Sequence, residues 1–142
     1  MPVLLRHART TYGSAMRAAL AAAGYEDIPK NGLYVIGGLA LHRGGHPLGD
    51  LIANLRISKQ AAGQLVDTLV TRGYLQREVD AHDRRRLTVA LTERGRDAAN
   101  VQAAARAAVD ASLLARAGAK DVERTRRTLA ILIDMSRHSD TT

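Results

Sequence analysis

The chain has 142 residues, a formal net charge of +7 with neutral histidines, and no cysteine, phenylalanine or tryptophan. That length suffices for one domain with a core, and the core has to be aliphatic, built from Ala, Leu, Val and Ile. The missing cysteine excludes disulfides, thiolate metal sites and a cysteine redox sensor, while the basic balance favours a polyanionic partner.

Residues 3–23 read as a first helix with Leu5, Ala8, Tyr12, Ala15, Met16 and Ala19 on one face, ended by Gly24. Pro29 suits the first turn of a second helix running to about His42, with Leu33, Ile36, Leu39 and Ala40 packed inward. Gly37-Gly38 within it costs on the order of 1 kcal/mol per glycine relative to alanine, which predicts the close approach of another helix. After Gly44-Gly45 a short third helix spans roughly Pro47 to Asn54, with Leu48, Leu51 and Ile52 inward. Leu55-Arg56-Ile57 is then a tight turn, and two helices joined so closely make a helix-turn-helix.

Ser58 is a good N-cap for the next helix, whose apolar stripe is Ala62, Leu65, Val66, Leu69 and Val70. Gly73 supplies the left-handed residue that ends a helix at low cost. Leu75, Arg77 and Val79 alternate with Tyr74, Gln76 and Glu78, and Leu87, Val89 and Leu91 with Thr88, Ala90 and Thr92, as in two half-buried strands. Thr92 caps another helix, with Glu93 in its first turn, where the dipole favours an anion. That helix reaches about Ala117, has Ala98, Val101, Ala105, Ala108 and Val109 on its apolar side, and stops at Gly118. A last helix covers about Lys120 to Arg137 with Val122, Leu129, Leu132 and Ile133 on one side, and residues 138–142 are expected to fray.

Charge is uneven along the chain. Residues 56–96 hold nine basic and five acidic side chains, +4, against +2 for residues 1–55 and +1 for residues 97–142. More than half of the excess therefore sits in the helix and loop of the middle segment. A solvated basic surface is the plain alternative, but consecutive Arg84, Arg85 and Arg86 at a hairpin tip repel one another without a polyanion.

Leu69-Val70-Thr71-Arg72-Gly73-Tyr74-Leu75, then Asp83-Arg84-Arg85, then Leu91-Thr92-Glu93-Arg94-Gly95 resemble the DNA-binding half of a MarR-family transcription regulator. Seven residues separate Leu75 from Asp83 and six separate Arg85 from Thr92, which fits the register. The resemblance implies a mainly α fold with a small two-stranded β-wing: a winged helix-turn-helix with N- and C-terminal dimerisation helices. Residues 1–142 then form one MarR-like domain, with the winged lobe at about 30–95 and the dimerisation helices at about 1–24 and 96–138. Gln64 departs from the arginine or small residue common there, so no operator sequence carries over.

The helix at Ser58 presents Lys59, Gln60, Gly63, Gln64, Asp67 and Thr71 opposite its apolar stripe. Ser58 and Lys59 are placed to hold phosphate at a helix N-terminus. Gln60 and Gln64, one turn apart, can donate and accept at adenine in the major groove, or be ordinary surface. Gly63 lets a duplex approach the helix backbone. By resemblance, Arg85 enters the minor groove and Asp83 braces it with a charge-assisted hydrogen bond, or is a plain turn residue. Arg84 and Arg86 suit backbone phosphates.

The terminal helices carry more apolar surface than the lobe needs, which marks an association face. The resemblance makes it a two-fold homodimer, and the alternative is a closed monomeric bundle. The resemblance also implies a small aromatic or anionic effector near Tyr12, Arg17, Tyr34 and His42. No HExxH motif, phosphate loop or cysteine nucleophile is present, so neither metal, cofactor nor catalysis is expected. No signal peptide is evident, and the apolar stretch 33–41 is too short to cross a bilayer, which predicts a soluble cytoplasmic, nucleoid-associated protein without membrane contact. The expected function is an effector-responsive repressor on a pseudo-palindromic double-stranded operator. The alternative is a winged-helix protein-interaction module or a non-specific DNA binder without ligand response.

Overall fold

The computed structural model describes residues 1–41, 46, 47, 49, 53, 55, 57–85 and 87–139. In chain order its elements are α1 (Pro2–Ala22), α2 (Gly32–Ala40), β1 (His46–Pro47), α3 (Lys59–Thr71), β2 (Leu75–Val79), β3 (Leu87–Leu91), α4 (Glu93–Ala117) and α5 (Ala119–Ser139). The mainly helical, winged architecture read from the sequence is the one found. The chain divides into two compact units, Met1–Arg106 and Ala107–Thr142, so the boundary falls inside α4 and α1 belongs with the winged lobe.

Short-range chemistry sets the element ends where the sequence placed them. Ser58 Oγ accepts a hydrogen bond from the Ala61 N–H at 3.1 Å, capping α3. Gly73 closes that helix at φ 81°. Thr92 Oγ1 accepts from the Gly95 N–H at 3.1 Å, capping α4, and also donates to the Gly73 carbonyl. Gly95 has to be glycine for a different reason, since a Cβ there would overlap the Tyr74 carbonyl oxygen.

Met16, Leu20, Leu33, Val35, Ile36, Leu39, Val66, Leu69, Tyr74, Leu75, Val89 and Ala98 form the buried core of the first unit. α3 seats its stripe fully: Ala62 and Leu69 are 0% exposed. Gly37 answers the expectation of close helix approach, because its absent Cβ would lie 3.3 Å from Gln102 Oε1 of α4. Gly38 has no such neighbour among the described residues. Gln102 is itself fully buried, and neither amide atom has a hydrogen-bond partner among the described residues.

Several expectations are corrected. α2 begins at Gly32 rather than Pro29, because the turn closes with the Gly32 N–H on the Pro29 carbonyl at 2.8 Å and folds Ile28 and Pro29 over the helix start. Pro47 does not open a helix; it lies in β1, opposite Thr88. The sheet order is β1-β3-β2, which puts Pro47 on an edge strand, where a missing N–H costs no ladder bond. Gly49, Ala53 and Leu55 are helical, while Leu48, Leu51 and Ile52 lie outside the described residues.

The expected faces of α1 and α4 also shift. α1 buries Gly13, Met16 and Leu20, leaving Tyr12, Ala15 and Ala19 half-buried and Ala8 exposed. α4 buries Gly95, Ala98, Ala99 and Gln102, and Ala108 is exposed. In β2 the alternation fails after Leu75, because the strand leaves the core for the wing and Val79 is exposed. In the middle strand β3, Thr88, Val89, Ala90 and Leu91 are all buried. α5 continues to Ser139, past the expected fraying point at His138. Its Leu132 and Ile133 are exposed, with Val122 and Leu129 half-buried.

Candidate nucleic-acid interface

α3 is held from behind and open in front. With its stripe in the core, Ser58, Lys59, Gln60 and Gln64 are exposed and Gly63 is half-exposed on the opposite side. A Cβ at Gly63 would meet nothing within 4 Å, so no packing within the chain demands glycine there. Asp67, farther along the same face, pairs with Arg77 of β2. Both side chains are well exposed, so the pair adds little stability, but it neutralises the one acid on that face.

The wing tip between β2 and β3 is ordered by carboxylates acting on main chain. Asp80 Oδ1 accepts from the His82 N–H at 2.8 Å. Asp83 Oδ1 accepts from the Arg85 N–H at 3.0 Å, an Asx-type turn that fixes the backbone from which the arginine projects. The brace supplied by Asp83 therefore acts on the main chain of Arg85. Arg84 and Arg85 are exposed; Arg86 lies outside the described residues.

Sequence reasoning missed the cluster that ties α3 to the rest of the lobe. The Tyr74 hydroxyl donates to Asp27 Oδ1, and Arg94 Nη2 reaches the same Oδ1 at 3.2 Å and the Tyr74 hydroxyl at 2.9 Å. The Arg94 guanidinium lies 4.6 Å over the Tyr74 ring and 5.5 Å from that of Tyr25, and the two rings meet edge to face at 6.1 Å. Arg72, at the C-cap of α3, donates to the Asp27 carbonyl. The bond from Tyr74 holds the Asp27 carboxyl below its ordinary 3.8, and the Arg94 charge acts the same way. Burial first, and then the bond to Asp27, push the Tyr74 phenol up to about 12. The one available signal was a pair of motif residues, Tyr74 and Arg94, with no surface role assigned.

Of the expected effector residues, Arg17 and Tyr34 come together: both reach the point where a Gly13 Cβ would stand, at 3.2 and 3.3 Å. Tyr12 is half-buried against the core, and His42 lies outside the described residues. His42 and His46 stand four apart in sequence, a spacing that would face two ligands along a helix, but His46 is in strand β1.

A capped helix with an open polar face, a short sheet and an arginine-bearing tip make a winged helix. Residues 32–86 match the model of the MarR family. This segment is similar to the winged helix of the MarR family. No curated protein matches the chain. Among solved structures, FabT of Streptococcus pneumoniae in complex with DNA is similar with a TM-score of 0.80, over 96% of this chain and 95% of that one, at 14% identity. The MepR–DNA complex of S. aureus gives 0.76 over 95% and 97% at 19% identity. MepR described as a transcription regulator of the Staphylococcus aureus multidrug efflux pump MepA gives 0.67 over 95% and 97% at 18% identity. At these identities the likeness is one of fold, and it extends beyond residues 32–86 into the flanking helices.

Proposed function

We propose that the protein is a sequence-specific, double-stranded-DNA-binding transcription regulator that works as a homodimer and as an effector-responsive repressor. The observation that carries this reading is the division of α3: its apolar side is locked in the core, while Lys59, Gln60, Gly63 and Gln64 are left for a partner. The ordered tip with Arg84 and Arg85 supplies a second, charged element. Ser58 and Lys59 hold phosphate, Gln60 and Gln64 read base edges in the major groove, Arg85 enters the minor groove, and Arg84 and Arg86 take backbone phosphates. FabT and MepR, similar in fold, have been crystallised with DNA.

Dimerisation is supported by exposed apolar side chains on the terminal helices: Val3 and Leu4 of α1, Leu113 and Leu114 of α4, and Ile131, Leu132, Ile133 and Met135 of α5. Burial of each contributes roughly 1.5–3 kcal/mol to association. The dimerisation helices are those at about 1–24 and 96–138, and a two-fold dimer sets the two α3 helices about one helical turn, roughly 10 bp, apart on a pseudo-palindrome. A small aromatic or anionic effector binds near Tyr12, Arg17, Tyr34 and His42, and acts by favouring one of the DNA-competent and incompetent states. No catalytic step belongs to this reading. Among the described residues no helix is long and apolar enough to cross a membrane, and the working place proposed is the nucleoid.

Mapping the protein's protection on the DNA beside its own coding region tests the reading. A protected pseudo-palindrome whose affinity collapses when about five base pairs are inserted between its halves is expected. Affinity indifferent to sequence and to the insertion would reject it in favour of a non-specific binder, and salt-independent binding to a protein in place of DNA would favour an interaction module. Sedimentation at micromolar concentration showing only a 15.3 kDa species would reject the dimer.

A further inference from the structure

Arg6, Arg9, Gly13 and Arg17 recur every three or four residues, so they share one face of α1. Lys30, Asn31 and Tyr34 face them across a hollow of about 250 Å³. Among the described residues every side chain lining it is polar or charged, four of them are cationic, and none is Asp or Glu. Like charges along one helix face repel, so this arrangement is relieved by an anion that several of them share.

We propose that this hollow is a site for a multiply charged phosphate group, a proposal that rests on reading the Arg17–Tyr34 crevice as an effector site and narrows the ligand class. Three observations favour phosphate over an aromatic monocarboxylate. The Arg9 guanidinium already lies 4.5 Å over the Tyr34 ring, taking a face on which an aromatic ligand would stack. Among the described residues no aliphatic side chain lines the hollow, so little there would shelter the apolar ring of an aromatic ligand from water. Gly13 also leaves room for the ends of two of these side chains. Its absent Cβ would stand 3.2 and 3.6 Å from the two terminal nitrogens of Arg17 and 3.3 Å from the Tyr34 hydroxyl. A forked guanidinium and a hydroxyl thus converge at one point, and the fork matches phosphate oxygens two at a time.

The site adjoins the reading helix. Lys30 and Asn31 also wall a second groove, of about 320 Å³, whose other side includes Gln64 and Thr68 of α3. A phosphate held by Lys30 is therefore next to the side chain proposed to touch a base. The phosphate belongs either to a free small molecule or to the DNA backbone beyond the α3 footprint, and the two sources separate by experiment.

Calorimetric titration of the full chain at low salt, with sodium tripolyphosphate as the probe and benzoate as the comparator, is the test. Tripolyphosphate is expected to bind once per chain and about ten-fold more tightly than benzoate, since it answers several cations at once. Arg9→Gln combined with Lys30→Gln should weaken it by about ten-fold or more. Gly13→Ala leaves the charge unchanged but pushes the Arg17 and Tyr34 ends apart, and should weaken binding several-fold without lowering the melting temperature, since alanine favours the helix. Lys120→Gln with Arg126→Gln removes as much charge from exposed positions of α5 and should leave tripolyphosphate binding as it was. Loss in the α5 variant and none in the hollow variants would overturn the proposal. Tighter binding of benzoate would overturn it while keeping the effector reading, and binding of neither anion would end both. DNA titrations at several salt concentrations then assign the source. A slope reduced by about one for each hollow cation removed assigns the phosphate to DNA. An unchanged slope, with tripolyphosphate shifting operator affinity, assigns it to a free molecule.

Discussion

α3 and α5 have the same kind of sequence pattern and opposite fates. Both carry an aliphatic stripe at helical spacing. In α3 the stripe is sealed, with Val66 1% and Leu69 0% exposed, while in α5 Leu132 is 43% and Ile133 54% exposed. Periodicity shows that a helix has an apolar side; it does not show whether the chain itself supplies the cover. α3 is covered by Leu33, Ile36, Tyr74 and Leu75 of its own unit, which frees its polar side for a ligand. The apolar side of α5 is the surface through which a second copy is proposed to bind.

The largest effects break this contrast outright. Leu69→Ala should cost about 2–5 kcal/mol by opening a cavity, equally at low and high protein concentration. Ile133→Ala should act through association, so its effect on the melting temperature should be greatest where the parent is dimeric and shrink as both proteins are diluted into monomers. Urea unfolding of both variants over a hundred-fold concentration range checks this; a concentration-independent Ile133→Ala defect would mean that α5 is covered within its own chain. Gly95→Ala comes next, at about 3 kcal/mol, because the backbone carbonyl of Tyr74 occupies the space and no flexible side-chain end can give way.

The anchoring of α3 was legible in the sequence wherever one short stretch decides it. As caps, Ser58, Gly73 and Thr92 act on partners no more than three residues away or on their own backbone, and each does the job its residue type suggests, while the reach of Thr92 to the Gly73 carbonyl 19 residues away comes from the fold. The stripe from Ala62 to Leu69 was legible because the core needs it on one side. What was not legible depends on distant partners. Asp27 meets Tyr74 across 47 residues and Arg94 across 67, and no spacing rule joins them. Pro47 reads as a helix start until Thr88 is beside it. Gln102 sits among alanines at a position that pattern alone would make apolar or exposed, and it is neither. At the site, the outward polar face of α3 was legible as the complement of its stripe. The convergence of Arg17 and Tyr34 at Gly13 required knowing how α1 meets α2.

Alkaline pH probes the second anchor of α3, at its C-terminal end. The fold holds Tyr74 as the neutral phenol, with a pKa pushed up to about 12 from 10.0. Its contribution is therefore complete below pH 10 and is lost as pH rises through 10 towards 12, because only the unfolded chain releases the proton in that window. The loss amounts to roughly 2–3 kcal/mol. Tyr74→Phe should be less stable than the parent at pH 8, and the gap should narrow steadily above pH 10 in urea titrations. A gap that stays constant to pH 12 would mean that the hydroxyl is not held by Asp27. On the acid side Asp27 behaves in the opposite sense: its carboxyl is held below 3.8, so its contribution stands above that pH and is lost as pH falls further.

Gly63 gives the smallest change in stability and the sharpest separation of the two sides of α3. A glycine inside a helix costs about 1 kcal/mol relative to alanine, and a Cβ at Gly63 has open space around it. Gly63→Ala should therefore stabilise the isolated protein by about 1 kcal/mol, raising its melting temperature. If the glycine is there so that a duplex can approach the helix backbone, the same methyl group should weaken operator binding. The salt slope should stay unchanged, since no phosphate contact is removed. Gln64→Ala makes the matching comparison, with about 1–3 kcal/mol lost at one base position per half-site and no gain in stability of that size. A Gly63→Ala protein that melts higher and binds its operator as tightly as the parent would place the duplex farther from the helix, with Gln60 and Gln64 reaching the bases across a gap. One that melts higher and binds more weakly would show that this glycine serves the partner at a cost to the fold.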